Sequence, residues 1–177
     1  IHKLAGENYH LLYHKVYGIS SCCLRLTNTY GPGMRVKDAR QTFLGLWLKL
    51  AVTGECIKVF GDGMQLRDFN YVDDVVEAML RAATSEAAAG QVMNLGSDEV
   101  INLKDLAELL VTVNGRGTWE LVPFPSDRKA IDIGDYYGDW SLARRTLAWS
   151  PEVDLREGLI RSLDYYRKHG SAYWGQP

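Results

Sequence analysis

The period of the apolar positions changes several times along the chain, and each change marks an element. From Lys3 to Tyr17, Leu4, Leu11, Leu12 and Val16 fall on one helical face, with no capping residue in front of them. Gly18 closes that helix, and Ser21 to Leu26 is a short run suited to a strand buried on both faces. The sequence Asn28-Thr-Tyr-Gly-Pro-Gly33 then predicts a turn. Phe43, Leu44, Trp47, Leu48 and Ala51 keep helical spacing within a helix expected from Asp38 to Val52, which Gly54 ends. Ile57 to Phe60 reads as a brief strand, followed by a Gly61-Asp62-Gly63 turn whose residues tolerate positive φ.

The second half keeps the same alternation. Asp73 can cap a helix whose apolar face is Val75, Val76, Met79, Leu80 and Ala83, and Gln91 to Leu95 is strand-like. Asn102 can cap the helix carrying Leu103, Leu106, Leu109, Leu110 and Val113, after which Trp119 to Val122 forms a strand leading into Pro123-Phe-Pro125. Two helices close the chain, Ser141 to Leu147 and Leu155 to Lys168, separated by Pro151. Helices and short strands in turn, without internal repeats, low-complexity segments or a linker, define an α/β chain folded as one unit. Ile1 is followed at once by helical periodicity, so the chain is expected to begin inside an element of a longer protein.

Composition narrows the function classes. Of 177 residues, 46% are hydrophobic and 24% charged, and the net charge is −2, so no basic excess points to nucleic acid. The longest mainly apolar run, Phe43 to Val52, is interrupted by Lys49 and is far short of the ~20 residues that span a bilayer. A protein of the cytoplasm with no membrane partner is expected. Cys22, Cys23 and Cys56 lie at no metal-ligand spacing and are expected to be buried structural thiols. His2, His10, His14 and His169 form no His-Glu-x-x-His pattern, and no metal site is expected. No Gly-x-Ser-x-Gly elbow and no Gly-rich dinucleotide or phosphate turn occurs.

The candidate chemistry is concentrated in two segments. In Gly61-Asp-Gly-Met-Gln-Leu-Arg67-Asp-Phe-Asn-Tyr-Val-Asp-Asp74, an arginine stands between a glycine turn and a helix cap. It can clamp an anion bidentately, or pair with Asp68 or Asp74 as structural glue. Asp73 and Asp74 suit helix caps better than an acid or base. In Leu24-Arg-Leu-Thr-Asn28, a strand ends in polar residues, and ligands of open α/β sheets gather at such ends, so Asn28 is either a ligand or a turn residue bonding its own backbone. Arg128, in a loop of turn residues, reads by itself as a solvated charge.

Four motifs in order, Lys3-Leu-Ala-Gly-Glu7, Leu24 to Pro32, Gly61 to Asp74, and Asp139-x-Ser-x-Ala with Leu147-x-Trp149-x-Pro151, resemble the extended short-chain dehydrogenase/reductases. The likeness is to their nucleotide-sugar branch, whose members include UDP-glucose 4-epimerase and dTDP-glucose 4,6-dehydratase, and it runs over almost the whole chain. The resemblance implies the last part of a doubly wound, Rossmann-type parallel sheet that binds NAD, interleaved with a smaller C-terminal substrate-binding domain. It identifies Lys3 as the lysine of a Tyr-x-x-x-Lys catalytic pair whose tyrosine would fall before Ile1, because none of Tyr9, Tyr13 and Tyr17 has a lysine four residues on. In that family the lysine and the positive nicotinamide lower the tyrosine pKa so that it can take a proton from a sugar hydroxyl.

By the same resemblance Lys3, Leu26, Thr27 and Tyr30 lie beside NAD, Asn28 contacts the nucleotide-sugar, and Arg67 binds its diphosphate. Arg128 is a second diphosphate arginine, although its spacing to Asp139 is one residue longer than the family's pattern. The expected activity of the full-length enzyme is hydride transfer at a sugar carbon through a keto-sugar. Epimerase and 4,6-dehydratase stay open, as do a truncated nucleotide-sugar or partner-binding protein without catalysis and a reductase of the same family. A fragment of this kind is expected to be inactive alone, to bind NAD poorly, and to form a homodimer through the Lys3–Tyr17 helix.

Overall fold

The computed structural model of the chain describes residues 1–39 and 42–175. Arg40 and Gln41, inside the helix expected from Asp38, lie outside the described residues. In chain order the elements are α1 (His2–Tyr17), β1 (Cys23–Leu26), β2 (Asn28–Tyr30), α2 (Phe43–Thr53), β3 (Cys56–Phe60), β4 (Leu66–Tyr71), α3 (Val72–Thr84), β5 (Val92–Leu95) and β6 (Val100–Asn102). They continue with α4 (Leu103–Asn114), β7 (Thr118–Val122), α5 (Ser126–Lys129), α6 (Ser141–Leu147), α7 (Leu155–His169) and α8 (Ser171–Trp174).

The strands form three small sheets: β1 beside β5, β2 and β6 on either side of β4, and β3 beside β7. Every pair is parallel except β4 with β6. The α/β class read from the sequence is therefore the class of the structure. The apolar residues divide into two cores. In one, Leu44, Leu48 and Ala51 of α2 meet Leu106 and Leu110 of α4, Leu159 and Leu163 of α7, and the inner faces of β3 and β4. The other gathers Val75 and Ala78 of α3, Met93 and Leu95 of β5, and Trp140, Leu147 and Trp149 around α6. Each Leu so buried contributes about 1.5–3 kcal/mol by leaving water, which is why helices with modest intrinsic propensity hold here.

Several local expectations are met for the reason given. Asn102 caps α4: its Oδ1 accepts from the Asp105 backbone N–H at 2.8 Å, a contact worth about 0.5–2 kcal/mol. Gly61 and Gly63 have φ of 68° and 69°, the left-handed values the turn before β4 requires. Others need correction. Asp73 does not cap α3; Tyr71 occupies that position without a side-chain bond, and Asp73 and Asp74 sit in the first turn, where the helix dipole favours them. Asn28–Tyr30 is a strand before it is a turn, because β4 offers it a parallel partner. The strand ending at Leu26 is half-exposed rather than buried on both faces: β1 pairs with β5, and α1 beside it has no buried residue. The cysteines are free and half-buried, and burial pushes the Cys22 and Cys23 thiols up. Among the described residues no helix is long and apolar enough to cross a membrane.

Candidate functional site

β4 is the strand that builds the site. Its residues alternate, with Arg67, Phe69 and Tyr71 toward one side and Asp68 and Asn70 toward the other. Phe69 and Tyr71 anchor it in the first core, and β2 and β6 hold its two edges. At its start, the Leu66 carbonyl accepts from the Tyr136 N–H and the Leu66 N–H donates to Asp135 Oδ1, both at 2.9 Å, so residues 134–136 lie against β4 like a short extra strand.

Arg67 is held between the strand and that segment. Its Nη1 donates to the carbonyls of Leu66 and Gly134, and Nη2 lies 4.0 Å from Asp132 Oδ1. Only 8% of the residue is exposed. Neither Asp68 nor Asp74 is its partner: Asp68 accepts from the Ser97 and Gly138 backbones, and Asp74 from Val153. With both Nη1 hydrogens committed to carbonyls, the plane of the guanidinium is fixed and its remaining edge borders a cavity of about 1000 Å³.

Asn28, Arg67 and Arg128 all line this cavity, as do Leu26 and Thr27 from the end of β1. Asn28 is oriented by its own Nδ2, which donates to the Asp68 carbonyl at 3.0 Å. The Arg128 side chain, on α5, is 53% exposed and has a long contact to Asp127, at 3.9 Å, so it can swing. Phe43 and Trp47, with ring centroids 5.0 Å apart, form one wall, and Phe60 with Phe124, 5.6 Å apart, another. Two guanidiniums and flat aromatic surfaces in one cleft suit a ligand with both an anionic group and a planar ring.

The other expected site residues lie elsewhere. Tyr30 is in the core, 1% exposed, stacked edge-on against Phe69 and Tyr71, and burial pushes its phenol far up. Its side chain therefore lies in the core and not in the cavity wall, because β2 turns it to the side of the first core. Lys3 is exposed on the first turn of α1 and is not part of the cavity wall. The aromatic walls and Asp132 were missed by sequence reading. Phe43 and Trp47 belong to the helix face that packs on the first core and line the cavity as well, and Phe124 between Pro123 and Pro125 is the sequence signal that an aromatic ring is held in a loop. Among the described residues no three His, Cys, Asp or Glu side chains gather where a metal could bind.

An α/β unit that places a basic, aromatic-walled cavity beyond the carboxyl end of a parallel strand is a ligand-binding part of a doubly wound protein. The chain belongs to the NAD dependent epimerase/dehydratase family, whose model matches residues 1–96. It is 30% identical to a dTDP-glucose 4,6-dehydratase of Streptomyces griseus over 99% of this chain and 51% of that protein. It is 29% identical to a UDP-glucose 4-epimerase of Mycolicibacterium smegmatis over 93% of this chain and 51% of that one. Among solved structures, the UDP-glucuronic acid 4-epimerase of Bacillus cereus in complex with UDP-glucuronic acid and NAD superposes with a TM-score of 0.77 at 30% identity. That match covers 93% of this chain and 51% of that protein. The chain spans about half the length of the curated relatives it matches.

Proposed function

We propose that this chain is the substrate-binding half of an NAD-dependent nucleotide-sugar epimerase, in which Arg67 and Arg128 hold the diphosphate and Asn28 meets the nucleotide-sugar beside them. The observation that carries the reading is the meeting of Arg67, Arg128 and Asn28 with the Phe43–Trp47 and Phe60–Phe124 walls in one cavity. A diphosphate needs fixed bidentate donors and a base needs flat apolar surface, and the cavity offers both. In domain terms the chain is a single unit, the C-terminal end of a Rossmann-type domain interleaved with a substrate-binding lobe.

NAD fits the residues present only along one edge. Leu26 and Thr27 form the cavity rim on which a nicotinamide can rest, whereas the sequence holds no Gly-rich turn for the pyrophosphate. When bound, NAD supplies the hydride acceptor for oxidation at the sugar carbon. Lys3 is the proposed partner of a catalytic tyrosine, a role for which none of Tyr9, Tyr13 and Tyr17 has the Tyr-x-x-x-Lys spacing. A second reading, a nucleotide-sugar 4,6-dehydratase, is favoured by the Streptomyces griseus relative, which aligns over 99% of the chain.

Two further elements belong to the proposal. Two copies pair through α1, supported by the exposed Leu4, Leu12 and Val16 on that helix. A cytoplasmic location is supported by three free cysteines, which suit a reducing compartment. Calorimetric titration with UDP, dTDP and inorganic phosphate tests the site. The nucleotide diphosphates are expected to bind and phosphate to compete weakly; no UDP or dTDP affinity up to millimolar ligand overturns the reading.

A further inference from the structure

The carboxylate of Asp68 is fully buried, and three segments meet on this residue. Its Oδ2 accepts from the backbone N–H of Ser97 at 3.1 Å and of Gly138 at 3.2 Å. The Thr27 hydroxyl oxygen accepts from Asn70 Nδ2 at 2.9 Å. The Asp68 carbonyl accepts from Asn28. Packing around the carboxylate is tight. A Cβ on Gly96 would stand 2.6 Å from the Gly138 carbonyl oxygen and 2.8 Å from Asp68 Oδ2, and one on Gly138 would stand 3.0 Å from Thr27 Cγ2.

This arrangement is expensive as a way to gain stability. No ion pair among the described residues includes Asp68, although it is buried, and its Oδ1 has no hydrogen-bond donor; nor do the buried Asn70 Oδ1 and Thr29 Oγ1. Burial drives the Asp68 carboxyl above the usual carboxylate range against the pull of the Gly138 and Ser97 N–H groups. An apolar residue would fill the same space at lower cost. What the carboxylate provides is a fixed relation between two walls of the cavity. One is Asn28, whose Nδ2 donates to the Asp68 backbone carbonyl. The other is the chain from Asp132 to Gly138, which Asp68 grips at Gly138 while its neighbour Arg67 grips it at Gly134.

We propose that Asp68 is a positioning residue for the ligand cavity: by tying Gly138 and Ser97 to the strand position whose carbonyl holds Asn28, it sets the distance between Asn28 and the wall that carries Asp132 and Ile133. The side chain touches no ligand. It acts through the backbone of segment 134–138, which Arg67 and Asp68 clamp from opposite faces of one strand. The part of this inference that concerns ligand affinity rests on the nucleotide-sugar reading of the cavity; the part that concerns segment 134–138 does not.

The test compares Asp68→Ala, Asp68→Asn and a control, Asp74→Ala, which removes another buried carboxylate that accepts a backbone N–H, from Val153, away from the cavity. Melting temperature, UDP affinity by calorimetry, and amide exchange of residues 134–138 by mass spectrometry are measured on each. Asp68→Ala is expected to speed exchange in 134–138 and weaken UDP by about tenfold or more, the scale of one charged hydrogen bond put out of place. Asp68→Asn, which keeps one acceptor for the two N–H groups, is expected to recover most of both, while Asp74→Ala lowers the melting temperature and leaves UDP affinity and that exchange as in the parent. If Asp68→Ala does not fold, Gly138→Ala displaces the same N–H with Asp68 intact and is expected to give the same two changes. Unchanged exchange in 134–138, or a loss of UDP affinity no larger than in Asp74→Ala, overturns the proposal. If the parent chain does not bind UDP, the cavity reading fails and the exchange measurement alone decides the role of Asp68.

Discussion

Glu7 on α1 accepts from both Nε and Nη2 of Arg25 on β1, at 2.8 and 2.6 Å. This forked bond matters because α1 has no buried residue, so packing does little to hold it. Its other ties to the body are the Ser21 hydroxyl, which donates to the His10 carbonyl at 3.1 Å, and the His14 ring, 3.0 Å from the Ile19 carbonyl. The Arg25 guanidinium lowers the Glu7 carboxyl from its ordinary value of about 4.5. A depressed folded-state pKa gives stability that is present above the unfolded value and lost as pH falls through the folded one. Acid is therefore expected to loosen α1 before the two cores. Amide exchange along residues 2–17 should rise below the ordinary glutamate range while β5 stays protected, and Glu7→Gln should show the same rise at neutral pH. Simultaneous exchange of α1 and β5 on acidification would rule this out.

The outer face of the same helix drives the second prediction. Leu12 is 50% and Val16 58% exposed, with Leu4 and Tyr9 on the same helix also exposed. Such a stripe buries itself against a second copy when concentration permits. Sedimentation is expected to show self-association of the parent chain, and the double substitution Leu12→Glu, Val16→Lys to shift it to monomer without changing its melting temperature. A parent chain that stays monomeric at high concentration contradicts the pairing.

A third prediction concerns the core that supports β2. A Cβ on Gly158 of α7 would stand 2.0 Å from the Tyr30 hydroxyl, so α7 and β2 approach as closely as they do because that position is glycine. Gly158→Ala is expected to cost about 1–3 kcal/mol as overpacking. Tyr30→Phe removes the hydroxyl and gives up its long bond to the Leu155 carbonyl, at 3.4 Å. The double variant should therefore be more stable than the sum of the two single losses predicts, and additive losses in denaturant melts would show that the contact is not what limits the approach.

How much of this was legible depends on whether each element declares itself locally. α6 and α7 were readable because their apolar residues recur at helical spacing and Pro151 separates them. The Asn102 cap was readable because its partner, Asp105, is three residues away. β4 was not, since Leu66–Tyr71 is buried on both faces, with Asp68 and Asn70 on one and Arg67 beside aromatic rings on the other. The partners that hold Arg67 and Asp68, namely Gly134, Ser97 and Gly138, are distant in sequence. The same holds for the site. Arg67 and Asn28 came from motifs and Arg128 from the resemblance, and the three line one cavity, but the aromatic walls come from α2, β3 and the loop before α5, whose meeting no local pattern encodes. Tyr30 is the opposite case, because a motif position near Asn28 does not say which face of β2 a residue occupies, and Tyr30 lies in the core.

The last prediction separates a ligand-binding arginine from a structural one. Arg67 has both Nη1 hydrogens on backbone carbonyls, so its planar group is aimed before any ligand arrives and little side-chain entropy remains to be lost on binding. Arg67→Lys keeps a positive charge but can reproduce neither the fork nor two fixed carbonyl contacts, and Arg67→Ala loses charge and fork together. UDP binding should therefore weaken in the order parent, Lys, Ala, with the alanine variant about 1.5–3 kcal/mol weaker than the parent, the worth of a hydrogen bond to a charged group. Both variants also release Gly134, so some fall in melting temperature is expected from each. The ratio of the two effects decides: Arg128→Ala, with a side chain 53% exposed and no backbone bond to give up, should weaken UDP binding with almost no change in melting temperature. If Arg67→Ala melts lower yet binds UDP as the parent does, Arg67 serves only to fasten Gly134 to β4, and the diphosphate assignment passes from it to Arg128 alone.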